Sequence, residues 1–544
     1  MASYFRSLFS LGSGLVLVSI VGTGCASILG FDETTVRTEP LPGADGGGLA
    51  DVDGGSTEGG STEPGAPTLS VSPVSVVVRR AGATSTVTVT VDRNDVTGPL
   101  NVSVNGLPQG VTASGSAIPE GASQASIVLT ATKSAALGGA TATFALDGTS
   151  SSENVHLLVA DASGAFDTTF GDHGFVKDDA RGTRSIFYGL AVAADGKVVA
   201  GGIANTDPLS PGGWLVRRFS ASGALETAFA PTLPTDGEVR AVAIDAAGRI
   251  VVVGASSAQA GAPAQMTVVR LTSAGVVDTS FGGGPVRLFA VADAPAGSEG
   301  FGVAFQPDGA VLVAGVRHDV GSDSGVVARL TDAGKLDTTF NSGKPLVVTG
   351  HSFVGVAPGT NGSIVAGGTS GSGGSFSVVS RTAAGASDTT FGQNGELAFG
   401  IGFHGLGFAR AADGTFALVG DSSASPTLYT AGVATSGGVQ AWVRGVANGT
   451  GASAFHGVTV QDDGKIVAVG HTAVMNGEAR VTRLLSNGSV DETFATAGTA
   501  FIEPPGSANG IDVSLYATTV QVDGRILAAG ARANAGAAIY RIWP

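Results

Sequence analysis

An all-β chain made mostly of one repeated four-strand unit is predicted by three features of the sequence. The stretch "QDDGKIVAVG" (461–470) occurs in seven variant copies, each a turn closed by Gly between two apolar runs. Ahead of these copies, residues alternate strictly between apolar and polar, the period of a half-buried strand. Finally, 86 glycines set against 13% charged and 6% aromatic residues favour short strands and many turns over long helices.

The first element is a leader. "MASYFRSLFSLGSGLVLVSIVGTGCAS" carries one Arg at position 6, an apolar run of about seventeen residues and small residues before Cys25, which is the pattern of a secretory signal. The run is short for a membrane-spanning helix. Cys25 is the only cysteine, so no disulfide within the chain and no cysteine-based metal cluster can form. Its placement resembles the lipobox of bacterial lipoproteins, which implies lipidation at Cys25, export, and a lipid-anchored place at the outer membrane or cell surface. Gly22 departs from that pattern, because the family usually has a branched residue three places before the Cys. Residues 26–66 follow as a tether of Gly, Ser, Thr, Pro, Asp and Glu with too little apolar surface to fold. "DVDGG" (51–55) echoes the first half of a calcium loop but lacks its closing Glu, and is read as linker.

Residues 67–160 are expected to form a β-sandwich. In "TSTVTVTVD", Val87, Val89 and Val91 face one way and Thr86, Thr88 and Thr90 the other; "SQASIVLTAT" does the same with Ile127, Leu129 and Ala131. Turn signals at "RRAG", "NGLPQG" and "IPEGAS" divide this part into about seven short strands. The run "LNVSVNGLPQGVTAS" resembles the immunoglobulin-like modules of secreted bacterial proteins, where it joins two strands over the core. Such a module implies a spacer.

From 161 to 544 the repeats take over. The turn glycines stand at 196, 248, 309, 362, 414, 464 and 524, spaced by 52, 61, 53, 52, 50 and 60 residues. Gly accepts positive φ without steric cost, so each copy reads as a hairpin of two antiparallel strands. After six of the seven hairpins comes a strand rich in apolar residues and ending in basic ones, such as "WLVRRF" (214–219) or "MTVVRL" (266–271). Next comes a Gly-x-x-Asp-x-x-Phe anchor, such as "GVVDTSF" (275–281) or "GKLDTTF" (334–340), and then a fourth strand. Four strands in about fifty-five residues is the size of a propeller blade, whereas a solenoid coil needs only about twenty to thirty. The expected architecture is a seven-bladed β-propeller preceded by the sandwich. An anchor at 164–170 precedes the first hairpin, while the seventh hairpin is followed only by "AAIYRI" (537–542), so 164–178 is expected to supply the last blade's outer strand and close the ring. The copy at 436–442 ("SGGVQAW") is degenerate, with Trp442 in the place of Phe, and the turn at 245–248 reads as longer than the others.

These units resemble the delta-60 repeat of secreted proteins from myxobacteria and related organisms, most clearly in "GKLDTTF" and "QPDGAVLVAG". The resemblance covers about 161–544 and implies the repeat fold, without a particular activity. Glu226 for Asp and Asn361 for the turn Asp are departures.

Residues that recur with the fold are expected to build it. Asp167, Asp278, Asp337, Asp388 and Asp491 suit backbone capping in turns. Arg218, Arg270, Arg329, Arg483 and Arg541 could pair with them, and Phe170, Phe229, Phe281, Phe340, Phe391 and Phe494 are wedges between sheets. Function is sought where the units differ. The position seven residues before each turn Asp or Asn would give one axial side chain per blade: Tyr188, Glu238, Phe301, Val354, Leu406, His456 and Tyr516. Tyr188, Glu238, His456 and Tyr516 are the candidate ligand-binding residues. No catalytic residue, cofactor or metal is read from the seven histidines or from any nucleotide motif. A net charge of −15 with only 29 Lys and Arg argues against nucleic acid. The expected role is a monomeric, surface-exposed binding scaffold for an extracellular protein or carbohydrate, with a propeller hydrolase or lyase and a structural envelope component as alternatives. If Cys25 is lipidated, a fatty-acid analogue fed to the source cells labels the protein and Cys25→Ser abolishes both label and membrane retention; an unlabelled wild type whose location survives the substitution removes the anchor.

Overall fold

Valines 87, 89 and 91 are fully buried while Thr86, Thr88 and Thr90 stay outside, so the alternation written in the sequence becomes one face of a sheet. The computed structural model describes residues 66–544 except 81, 83, 179–184, 205–211, 258, 260, 291, 320, 372–373, 423–427, 448–452, 473–478, 503–512 and 533–535. The leader with Cys25 and the tether up to residue 65 therefore lie outside the described residues. Two compact units divide between Val159 and Ala160. Apart from single 3-10 turns at Asn341–Gly343 and Thr360–Gly362, every regular element among the described residues is a strand, and no helix is long and apolar enough to cross a membrane.

The first unit is a two-sheet sandwich. One sheet orders its strands Thr68–Ser72, Ser85–Asp92, Gln124–Ala131, Val111–Ser114; the other runs Ser75–Arg79, Ser152–Ala160, Gly138–Leu146, Leu100–Asn105, Ala117–Ile118. Val78, Val102, Phe144, Leu146 and Val155 from the second sheet meet Val87, Val89, Ile127 and Leu129 from the first in one core. The "NGLPQG" turn crosses between the sheets. Gly110 sits there at φ +85, where a Cβ would lie 2.8 Å from the Cα of Ala135.

Residues 160–544 form seven sheets among the described residues, each opened by one repeat hairpin. Their first strands are Ile186–Val192, Glu238–Ile244, Ser298–Phe305, His351–Pro358, Phe403–Arg410, Ser453–Val460 and Val513–Val520. Each packs against the next, and the seventh returns to the first, so they surround an axis. The close approach needs small side chains: Gly189, Ala241, Gly302, Gly355, Gly407, Gly457 and Ala517 occupy one level of the seven strands. A Cβ on Gly302 would stand 2.8 Å from the Cα of Gly355.

Closure follows the sequence reading. Phe175–Asp178 pairs antiparallel with Gly536–Ile542 in the seventh sheet, matching Phe175 to Tyr540 and Asp178 to Ala537. The first sheet has only three strands, Ile186–Val192, Val198–Ala204 and Gly213–Phe219. Its fourth place is taken by a segment containing Pro231 and Pro234, which cannot donate to a ladder, and a single bond runs from the Trp214 N–H to the Pro234 carbonyl. The turn at 245–248 is not longer than the others. Ile244 pairs with Ile250 as Val192 pairs with Val198, so both turns span five residues; Asp245 occupies the place of Ala193, not of Asp195.

The recurring Asp, Arg and Phe form one clasp. Asp278 Oδ1 accepts the Ser280 N–H (3.0 Å) and hydroxyl (2.6 Å), while Oδ2 accepts Arg270 Nε at 2.8 Å. The Arg270 guanidinium lies over the Phe281 ring, 4.7 Å from its centroid, and Nη1 donates to the Asp332 carbonyl of the next sheet's turn at 2.6 Å. Arg483, Asp491 and Phe494 repeat the ion pair and the stacking at 2.8 and 4.6 Å. At the seam Arg541 pairs with Asp167 at 2.7 Å, covers Phe170 at 4.5 Å and donates to Ala221 of the first sheet at 2.6 Å. Glu226 takes the same partner, Arg218. In the fourth sheet Ser380 replaces Arg and its hydroxyl donates to Asp388 at 2.9 Å. The fifth sheet drops the anchor: Leu428–Ala434 turns directly into Gln440–Ala447. Trp442 lies against Gly488 of the sixth sheet and its indole N–H donates to the Ser486 carbonyl at 2.8 Å, so Trp does stand in for the wedge.

Asp167 is fully buried with Arg541 and Arg525 on it, so Asp167→Ala should cost about 3–5 kcal/mol, the usual result of stranding a buried charge. Asp388→Ala, whose side-chain partner across the clasp is a neutral hydroxyl, should cost about 1–2 kcal/mol. Urea unfolding of both variants measures the contrast, and equal losses would refute the ranking.

Candidate ligand site at the axis

Each first strand skips one residue in its pairing with the second. The skips fall between Phe187 and Gly189, Val239 and Ala241, Gly300 and Gly302, Phe353 and Gly355, Gly405 and Gly407, Phe455 and Gly457, and Leu515 and Ala517. The skipped residues are Tyr188, Arg240, Phe301, Val354, Leu406, His456 and Tyr516. A bulge re-aims its side chain, so all seven strands turn one residue aside at the same level. Six of these were named from sequence. The seventh is Arg240 rather than Glu238, because Asp245 is not the counterpart of the other turn carboxylates; counting from Gly248 gives Arg240. Glu238 sits two residues nearer the strand's start.

The skipped residues of sheets six, seven, one, two and three touch in sequence round the axis. Tyr188 and Tyr516 meet edge to face with centroids 5.3 Å apart, and Tyr516 meets His456 at 5.3 Å. The Arg240 guanidinium lies 4.5 Å from the Tyr188 centroid and 5.7 Å from that of Phe301. His471, on the second strand of the sixth sheet, stacks on His456 at 4.6 Å with planes 18° apart. Glu238 is ion-paired with Arg240, and His318 contacts Glu299 at 3.6 Å and Asp323 at 3.1 Å. Val354 and Leu406, both buried, make the remaining side apolar. Sequence reasoning missed Arg240, His471, Glu299 and His318. Of these only Arg240 left a signal, the invariant spacing to the turn glycine.

Burial and neighbours set the charge states. Burial pushes the Tyr188 and Tyr516 hydroxyls up, so both stay protonated. It holds His456 well below its ordinary value and takes His471 down to about 4, leaving both imidazoles neutral. His318 goes the other way, up to about 9, chiefly through its bond to Glu299. Burial lifts Glu238 against the pull of Arg240. Several buried atoms have no hydrogen-bond partner: Arg240 Nε and Nη1, and Nδ1 of both His456 and His471. No group of three His, Cys, Asp or Glu among the described residues could hold a metal.

Seven hairpin-led sheets round an axis, with a bulge aiming one side chain per sheet inward, define a β-propeller-type protein. Residues 248–281, 306–340 and 461–494 match the family described as "Domain of unknown function (DUF5122) beta-propeller". Each match begins at or just before a hairpin glycine and stops at a wedge residue, Phe281, Phe340 or Phe494, so it takes in the second and third strands and the anchor of one unit. No curated protein matches the chain. Among solved structures it is similar to a quinoprotein alcohol dehydrogenase-like protein from Bacteroides thetaiotaomicron, at 11% identity over 78% of this chain and 93% of that one, with a TM-score of 0.32. It is also similar to the polysaccharide lyase Uly1 (10% identity, 69% and 92% covered, TM-score 0.38) and to Sqt1 from Chaetomium thermophilum (12%, 68% and 100%, TM-score 0.39).

The histidines fix the sign of a pH dependence. A raised histidine stabilises below its unfolded value of about 6.5 and stops doing so as pH climbs through its folded one; His318 does this on the way to about 9, as does His404 through its bond to Asp421. A lowered histidine destabilises once the unfolded chain takes up protons the folded one refuses, so His471 weakens the fold as pH falls from about 6.5 to about 4, and His456 acts in the same direction. Urea unfolding from pH 4 to 9.5 should give a maximum near 6.5, with His318→Gln flattening the alkaline limb; stability still rising between pH 7 and 9 would contradict this.

Proposed function

We propose that the protein is an exported binding scaffold of a bacterial envelope, anchored by lipid at Cys25. In this reading the seven sheets are the blades of one delta-60-type propeller, the sandwich is an immunoglobulin-like spacer, and an extracellular carbohydrate or protein binds at the axis. The observation that carries it is the set of buried donors and acceptors without partners on Arg240, His456 and His471, next to Tyr188 and Tyr516. Buried polar groups are ordinarily satisfied, so each exception calls for a reason, such as a partner that binds there. Position supports the same reading: the bulges lie near the starts of the first strands, the end from which the non-repeating connections leave, while turns and anchors occupy the other end.

A hydrolase or lyase at the same place is favoured by one observation, two imidazoles held neutral beside protonated tyrosines, which could accept and donate a proton respectively. Glycan-array and pull-down screens with the intact chain should return a ligand, and Tyr516→Ala should weaken it tenfold or more, about 1.4 kcal/mol. Release of new reducing or unsaturated ends from that ligand turns the assignment to the enzyme. Empty screens on both arms leave a structural envelope component.

A further inference from the structure

The junction between the second and third sheets departs from its counterparts, and from that departure we infer a second binding site, away from the axis, for an acidic sugar residue of an extracellular glycan. At five junctions the first N–H after the wedge Phe donates across to the carbonyl just before the next anchor glycine, as Gly282 does to Ala333 at 2.9 Å and Asn341 to Ala384 at 3.0 Å. This contact sets the residue after that glycine beside the loop that follows the wedge. At four of the junctions the residue is Ala165, Ala224, Ala386 or Val439; between sheets two and three it is Lys335. The loop differs as well. Two places past the wedge stand Asp172, Ser342, Gln393 and Thr496 in the other copies and Gly283 here, where a Cβ would meet nothing within 4 Å. With no side chain in that place, a groove of about 600 Å³ opens, lined among others by Gly282, Gly283, Pro285, Val286, Arg287 and Lys335.

Its charged groups are within reach of a ligand and are not neutralised. Arg287 and Lys335 are both exposed. Arg287 donates to two neutral oxygens, Ser256 Oγ at 3.4 Å and the Ser257 carbonyl at 3.0 Å, and among the described residues neither cation is paired with a carboxylate. The carboxylates of the flanking turns are already matched, Asp278 by Arg270 at 2.8 Å and Asp332 by Arg249 and Arg270 at 2.8 and 2.9 Å. An anion in the groove therefore meets two uncompensated cations, one of them a guanidinium whose fork fits a carboxylate or a sulfate. The net charge of −15 opposes its approach, but roughly 0.1 M salt screens that field beyond about 10 Å. Pro285, Val286 and the bare glycine floor offer apolar contact to a sugar ring. A peptide docking through its main chain finds no free donor there, because the N–H groups of Gly282, Gly283 and Gly284 are spent on the carbonyls of Ala333, Thr279 and Phe281. The groove uses none of the axial residues, so it goes beyond the binding role proposed above.

Calorimetric titration of the intact chain in roughly 0.1 M salt tests this, with oligogalacturonate, its methyl ester, a sulfated galactan oligomer, the unsulfated galactan and poly-glutamate as probes. At least one acidic sugar should bind, at least tenfold tighter than its uncharged counterpart. Lys335→Glu and Arg287→Gln should each weaken it fivefold or more, while Arg444→Gln, at an exposed position of the fifth sheet, leaves it unchanged. Thermal unfolding identifies a variant that fails to fold, and the other then decides. Failure of both acidic sugars, equal binding of the uncharged counterparts, tighter binding of poly-glutamate, an equal loss in Arg444→Gln, or unchanged affinity in a folded groove variant overturns the inference. Binding that is lost in Tyr516→Ala but kept in Lys335→Glu also overturns it and assigns the sugar to the axis, so the groove and the axial site fail separately.

Discussion

The clasp between Asp167 and Arg541 is the contact on which the ring depends. A linear array of sheets would leave a free edge at each end. Here both ends are consumed in the seventh sheet, where Phe175–Asp178 lies beside Gly536–Ile542. The clasp itself is no special device, since Arg270 with Asp278 and Arg483 with Asp491 form it between the strand and anchor of a single unit. At the seam the same contact is assembled from residues 374 positions apart. Its Arg then reaches Ala221 in the first sheet, so one side chain ties together the two ends of the array and the sheet that follows.

Much of this fold was legible because a repeat states its own rules many times over. The turn glycines gave the number of hairpins, the Phe and Arg gave the wedges and their partners, and the unpaired anchor at 164–170 pointed to the seam. The failures came where a motif slid against the backbone. Asp245 caps its turn from the first place instead of the third, bonding the Ala247 and Arg249 N–H groups, so a count anchored on the carboxylate ran two residues short. The missing strand of the first sheet was legible in principle from Pro231 and Pro234.

The site was legible only in part, and for a physical reason. Periodicity along the chain shows which residues share a level round the axis, and six of the seven bulge residues follow from it. It says nothing about what a second strand adds beside them. His471 stands opposite Ala454 in the ladder, and only the stacking of sheet six brings its ring onto His456. His318 reaches Glu299 from beyond the end of its strand, at the start of a connection that no repeat describes. The candidate site thus lies where the units stop resembling one another, while the clasps, which do resemble one another, hold the opposite end in register.

Closure by the leading segment also orders events during synthesis. The ribosome delivers residues 163–178 long before strand Gly536–Ile542 exists, so for most of translation Phe170 and Phe175 have no native cover on that side. The six sheets between can form from contacts local in sequence, but the last must wait for the strands from Val513–Val520 to Gly536–Ile542. A chain halted within the seventh hairpin would therefore present two open strand edges and exposed aromatic rings, the form in which such a nascent array is most prone to join a neighbour and most in need of a chaperone.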